Sequence, residues 1–479
     1  MIFRGNPDII TYELNPGRRS SMSSAFSFNQ FGLGLFLAAI AVGSTPSAFA
    51  EIRATGKNGL RTEVNGLRGG VCNRGVCRIG GGTNAGRNKF HRFHNFDTRG
   101  AIKGVEFDTG GKRNLIVGVT SPTGSWINKA LRLSSKANLF FLSPGGLHVG
   151  KGAEFINIPK ISLSTADQLR FSEGVFDVFS STPESVRDFS TNPLPGVFGL
   201  RRSELEKPVE LPAGELPGIH LDGINISLDE ELLVDAPGGR VDVKGSQLIA
   251  GTKAIGGRIA LTGEAINVDG DSELIATGRR GGGLIEVGGS WQNSNASVRQ
   301  AVTTQIEQGA VLDASAIRNG NGGEIVVRSD ISNAESVTSV AGTLLAKGGR
   351  EGGDGGDIET SGFELDLSGI DIDTTASQGE QGFWLRSTGS DGSDKKSRHE
   401  SSDEDDLDDD YDDDYYEDDD DYDDDYYEDD DDYDDDYYED DDYDDDYYEE
   451  DDDYDDDYYD DDYDLDDDYD DDYYDDDYD

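Results

Sequence analysis

The side chains able to do chemistry are few, and their spacing restricts what they can do. Cys72 and Cys77 have four residues between them. That is wider than the C-x-x-C of a redox site, and two cysteines with five histidines leave little for a zinc cluster. His91 and His94 stand in Lys89-Phe-His-Arg-Phe-His-Asn-Phe96. In a strand, a spacing of three sends them to opposite faces, so they are not expected to share a metal. The runs Gly281-Gly-Gly-Leu-Ile-Glu286 and Gly348-Gly-Arg-Glu-Gly-Gly-Asp-Gly-Gly356 lack the Gly-Lys-Ser/Thr ending of a phosphate loop, so we read them as structural turns. No Ser/His/Asp set and no carboxylate pair is singled out by spacing. No catalytic residue, specific metal site or cofactor is assigned.

The other chemistry is charge. The formal net charge is −59, yet residues 403–479 hold 55 Asp or Glu, 20 Tyr and two Leu, and nothing else. The preceding 402 residues carry 45 acidic against 41 basic side chains and are nearly neutral. No basic tract points to nucleic acid, and the tail repels phosphate. With so few aliphatics and so much like charge, the tail cannot pack a core and is expected to be disordered. One reading of it is a solvated brush. Another is diffuse Ca²⁺ binding, without the loop glycine of an EF-hand.

The body that must position everything else is glycine-rich and has no long 3.6-residue apolar stripe, which argues against a mainly helical protein. A short strand ending in Ala, a Gly-Gly turn and an alternating apolar strand recur from residue 232. The Gly-Gly pairs start at Gly238, Gly256, Gly282, Gly322 and Gly355. One such unit cannot bury a core, but stacked copies cover both the apolar faces and the strand edges. The expected fold is all-β: a right-handed parallel β-helix (solenoid), with glycines at the corners supplying positive φ. A β-sandwich is the alternative.

The N-terminus fits an export signal. Phe31-Gly-Leu-Gly-Leu-Phe-Leu-Ala-Ala-Ile-Ala-Val42 is apolar but too short to span a bilayer, and Arg18 and Arg19 precede it. Ala48-Phe-Ala50 follows as a small-x-small cleavage site, at Ala48 and Ala50. In an oxidising compartment, Cys72 and Cys77 favour a small local disulfide over two free thiols.

Three blocks carry a resemblance: Asn88-Lys-Phe-His-Arg-Phe-His-Asn-Phe96, Gly118-Val-Thr-Ser-Pro-Thr-Gly-Ser-Trp-Ile127, and Ala137-Asn-Leu-Phe-Phe-Leu-Ser-Pro-Gly-Gly-Leu-His-Val-Gly150. In this order they resemble the haemagglutination-activity domain of the filamentous haemagglutinin family. The family pattern of the last block is roughly A-N-L-F-L-x-N-P-N-G-I-x-F-G. Ser143 and Gly145 stand where it has Asn, while Pro144, Gly146 and Gly150 match. Repeats around 313–330 and 352–385 resemble the family's downstream coils.

The resemblance implies a two-partner secretion passenger. Such a chain crosses the inner membrane by its signal peptide, is recognised by the POTRA domains of an outer-membrane barrel transporter, and folds outside the cell. It also implies an adhesin role at the surface of a Gram-negative-type bacterium, with host or neighbouring-cell glycans or proteins as partners and no nucleic acid. The implied recognition motif is Asn138, Leu139, Ser143, Pro144, Gly145, Gly146 and Leu147. The expected domains are a signal peptide (1–50), a secretion domain (51–230), β-helix repeats (231–387), a linker (388–402) and the acidic tail (403–479). The alternatives are a polysaccharide-acting β-helix enzyme and an extracellular matrix protein binding cations through its tail.

Overall fold

The computed structural model describes residues 50–56, 59–194 and 217–389, together with the backbone of 394–398. Ala48 and the acidic tail lie outside the described residues. Among those described there is no α-helix, only a 3-10 turn at Trp291–Asn293 and many short strands.

The chain winds through three strands per coil. Asn114–Val119, Ser125–Ile127 and Leu131–Leu133 form one coil, and Asn138–Leu142, Leu147–Gly150 and Phe155–Ile156 form the next. Each strand pairs in parallel with its counterpart one coil on. The pattern continues to Phe383–Thr388. This is a parallel β-helix with three faces. Its interior is built of columns, because in-register strands place equivalent side chains above one another. Leu115, Leu139, Ile161, Leu232, Ile259, Ile285, Ile325 and Ile358 form one such column on the first face, each at most 1% exposed. Stacking satisfies the strand edges and the apolar faces together, which no single coil does alone.

At the corner into the first face Gly251, Gly320, Gly352 and Gly353 do take positive φ, but the Gly-Gly pairs are required for another reason. None of Gly256, Gly257, Gly282, Gly283, Gly322, Gly323, Gly355 and Gly356 has positive φ. Their constraint is contact between coils. A Cβ on Gly282 would lie 1.8 Å from the Ala314 carbonyl oxygen, and one on Gly323 1.9 Å from that of Gly283. Within each coil the second glycine N–H donates to the carbonyl of the preceding alanine, as Gly283 does to Ala276 (2.8 Å) and Gly323 to Ala314 (2.8 Å). The Gly238-Gly239 pair does not belong to this series. It lies inside the strand Glu231–Lys244, at the bend from the first face to the second, where Gly238 has φ +63°. Both corners demand glycine, so the sequence makes unlike corners look alike.

Both ends of the stack are covered by antiparallel strands. At the start Ile52–Ala54 pairs with Val71–Cys72 and Asn88–Phe96. At the end the backbone of 394–398 pairs with Phe383–Ser387. Part of the segment expected as linker is therefore a strand, because the last coil leaves a row of unpaired backbone groups that an adjacent strand can satisfy.

Two excursions pack on the outside. The hairpin Gln168–Phe171/Gly174–Asp177 builds a second core over the first face with Phe90, Phe140, Phe171, Phe176 and Phe189. Further on, the loop at 289–300 is pinned by the buried Arg328–Glu359 pair (3.0 Å; side chains 2% and 1% exposed). Arg328 also donates to the Ser290 carbonyl (3.1 Å), and the Gln292 N–H donates to Glu359 (2.6 Å).

Candidate functional site

The motif Asn138 to Leu147 closes a corner between the first and second faces. Leu139 points into the core and pairs with Leu115 and Ile161. Asn138 is the outer rung of an asparagine ladder: its Nδ2 donates to Asn114 Oδ1 (3.1 Å), and Asn114 Nδ2 donates to Asn88 Oδ1 (2.8 Å). Asn88 in turn donates to the Phe189 and Thr191 carbonyls (both 2.6 Å). The ladder thus ties three coils to the segment that follows the hairpin.

The turn itself is Ser143-Pro-Gly-Gly146, closed by Gly146 N–H donating to the Ser143 carbonyl (2.9 Å). One coil earlier Ser121-Pro-Thr-Gly124 closes in the same way (3.3 Å). The two turns nest. A Cβ on Gly145 would lie 2.2 Å from the Ser121 carbonyl, and one on Gly124 2.5 Å from that of Gly146. Gly146 has φ +107°, a conformation side chains rarely adopt. Leu147 is fully buried and donates from its N–H to the Gly218 carbonyl (2.9 Å).

The fold consumes most of the motif. Leu139, Ser143, Pro144, Gly146 and Leu147 are buried, while Asn138 and Gly145 are half-buried. What this corner shows to solvent is Pro122 and Thr123 of the neighbouring turn. In the folded chain the motif residues close and stack the turn, and only Asn138 and Gly145 keep partial exposure.

Cys72 and Cys77 are joined in a disulfide with Cα atoms 5.7 Å apart. Ala50 is half-buried at the entry to the first strand, whose Ile52 is already in the core. His91 and His94 do point apart. His94 is exposed, whereas His91 is fully buried between Phe93 and Phe107 with neither ring nitrogen hydrogen-bonded. Burial, aided by nearby Lys89, pushes the His91 imidazole down to about 3. Among the described residues no group of three or more His, Cys, Asp or Glu is arranged to hold a metal.

Two constellations escaped the sequence, because their members are brought together only by coil register. Trp126, His148 and His220 stack on successive coils, with centroids 3.8 and 4.6 Å apart. Arg99 lies over Trp126 (3.9 Å), and His220 Nδ1 contacts Asp242 (3.0 Å). The column borders a pocket of about 240 Å³. Burial, then His220 and Arg99, holds His148 down at about 4.

On the outer side of the first face, Glu286, Glu324, Asp357 and Glu359 occupy neighbouring coils. Arg258 claims Glu286 (2.5 Å) and Arg328 claims Glu359. Glu324 is pushed up to about 7 by burial and the three surrounding carboxylates. This is a line of carboxylates, of which Glu286 and Glu359 are held by arginines.

Comparison with known proteins now adds a family. Residues 71–188 match the family described as the TPS secretion domain. This segment is a TPS secretion domain. It spans the disulfide, the asparagine ladder, both nested turns and the outer hairpin. Such a domain marks a chain secreted by a two-partner system and implies a partner transporter in the outer membrane. The solved HMW1 secretion domain of Haemophilus influenzae matches at 14% identity and a TM-score of 0.30, over 68% of this chain and 100% of that one. No curated protein matches the chain. Among the described residues no helix is long and apolar enough to cross a membrane.

Proposed function

We propose that this chain is a surface-associated adhesin-type passenger, delivered by an outer-membrane barrel whose POTRA domains receive the secretion domain. The observation that carries this reading is the secretion domain at the start of the β-helix, with coils that stack on it in unbroken register: Leu147–Gly150 pairs with Ile219–Asp222, and Lys160–Ser164 with the start of Glu231–Lys244. A domain that begins the coil stack is a folding template for whatever leaves the transporter next. Each added coil buries apolar side chains and satisfies a strand edge, so folding outside the cell opposes backsliding without nucleotide hydrolysis.

In this reading the motif 138–147 acts twice. The partner meets it as extended chain, with Asn138, Leu139 and Leu147 accessible, and the corner then closes and buries it. The division into a secretion domain (51–230) and a repeat segment (231–387) belongs to the same proposal, as does cleavage of the export signal after Ala50. The acidic tail is assigned diffuse Ca²⁺ binding outside the cell, on charge density alone.

The test is co-expression with and without a partner barrel in a Gram-negative host. The folded chain should reach the medium or cell surface only with the barrel, and deletion of the POTRA domains should abolish delivery. A secreted fraction that does not depend on the barrel overturns the reading.

A further inference from the structure

Three cations without a carboxylate partner among the described residues stand on one corner of the β-helix. Lys253, Arg279 and Arg280 belong to the loops between the third and first faces on consecutive coils, and all three are exposed. Backbone hydrogen bonds set their alignment. Arg279 N–H donates to the Lys253 carbonyl (3.1 Å), Arg318 N–H to that of Arg279 (3.2 Å), and Glu351 N–H to that of Arg318 (2.7 Å). Residues 253, 279, 318 and 351 therefore form a column with one member per coil, on the order of 4.8 Å apart. Arg280 lies beside it, its N–H donating to the Ala254 carbonyl (2.7 Å). The column lines an open groove of about 480 Å³.

The column already holds one carboxylate. Arg318 Nε lies 2.9 Å from both carboxylate oxygens of Glu351. Below that pair Lys253 on one coil and Arg279 with Arg280 on the next repeat the cationic position, with no acid among the described residues to answer it. A linear row of like charges focuses potential along its length and favours a partner whose opposite charges also run in a line. Guanidinium groups match planar carboxylates well. The same loops expose two isoleucines, Ile255 (56%) and Ile317 (50%), which offer apolar contact to the C–H faces of sugar rings. Single-stranded nucleic acid, another linear polyanion, gains much of its affinity from aromatic stacking, and no aromatic side chain lines this groove.

We propose that this corner binds a linear carboxylated polysaccharide along the coil axis, with Lys253 on one coil and the Arg279/Arg280 pair on the next taking its carboxylates. The proposal goes beyond the export reading and is tested without any transporter, so the two fail separately.

The experiment measures retention of the purified full chain on immobilised polygalacturonate at low salt. Arg279→Glu/Arg280→Glu should weaken retention about tenfold, and the neutral pair Arg279→Gln/Arg280→Gln should weaken it in the same direction. Lys103→Glu/Arg132→Glu makes the same charge change at exposed positions on another face and should leave retention within about twofold. Matching thermal midpoints show that the variants fold. No retention of the wild type, equal losses in the 279/280 and 103/132 variants, or equal retention on single-stranded DNA with the same dependence on Arg279 and Arg280 each overturn the proposal.

Discussion

The hydroxyls of Ser125 and Ser143 lie 2.8 Å apart and join two coils at the turn corner. Ser143 Oγ donates to the Gly146 carbonyl (2.7 Å), so its lone pair receives the Ser125 proton. Both side chains are fully buried, so solvent cannot stand in for either partner. Ser143→Val should therefore cost about 1–3 kcal/mol, because it leaves the Ser125 hydroxyl unsatisfied. A thermal midpoint unchanged from wild type would show that the pair contributes nothing.

Gly146→Val tests the same turn in export. At φ +107° a β-branched side chain is strained, and the Gly218 carbonyl lies 3.3 Å from the added Cβ. Secreted yield with the partner barrel should fall well below that of Gly392→Val, which lies outside the described residues. Equal yields would show that the turn is dispensable for delivery.

His91 predicts an acid limit to stability. Its folded pKa is depressed to about 3 by burial, below the ordinary value near 6.5. Between those values the unfolded chain holds a proton that the folded chain refuses, so stability falls as pH drops through that window. His91→Leu should flatten the loss of melting temperature between pH 7 and pH 4.5. A variant with the same pH slope as wild type would assign the loss to other groups.

Glu324 carries the opposite sign. Its folded pKa is raised to about 7, so the folded state holds the extra proton and stability falls as pH rises from about 4.5 to 7. Glu324→Gln should stabilise the chain at pH 8 by about 1 kcal/mol, the shift being discounted for partial exposure, and by little at pH 4. Chemical denaturation at both values decides it, and a gain independent of pH would refute the electrostatic account.

Arg328 and Glu359 are the costliest pair to split. Arg328→Met strands a buried carboxylate and should destabilise by about 3–5 kcal/mol, and Arg328→Met/Glu359→Gln should recover a large part of the loss. Proteolysis within 289–300 should rise in the single variant, because Arg328 and Glu359 hold Ser290 and Gln292. Additive losses in the double variant would mean that the two charges do not act as a pair.

The β-helix was legible because its rules are local. Alternation in Gly282-Gly-Leu-Ile-Glu-Val287 and Gly322-Gly-Glu-Ile-Val-Val327 marks strands with one inward face, and repetition marks stacking. The turn at Gly146 was legible for the same reason, since a glycine after Ser-Pro-Gly needs no distant partner to take positive φ. The cause of the Gly-Gly corners was not, because the obstruction is a carbonyl on the neighbouring coil, remote in sequence, as between Gly257 and Gly283 or Gly283 and Gly323. The continuity of the linker segment with the last coil escaped likewise, since a polar strand such as 394–398 is recruited by an open edge and not by its own pattern.

Sequence alone determined the periodicity, the secretion-domain blocks and the segregation of charge into the segment 403–479. Tertiary structure alone decided which residues became neighbours across coils. Trp126, His148 and His220 are widely and unequally separated in the chain but stack ring on ring. Lys253, Arg279 and Arg318 are likewise scattered, yet align on one corner. The physical reason is the variable coil length. In-register pairing fixes the spacing between coils at one strand width, while the loops between strands are free to lengthen, as at 168–194 and 289–300. Chain order therefore gives the order of the coils but not the residue spacing between stacked neighbours, and every ladder of charge, ring or amide is a product of the register.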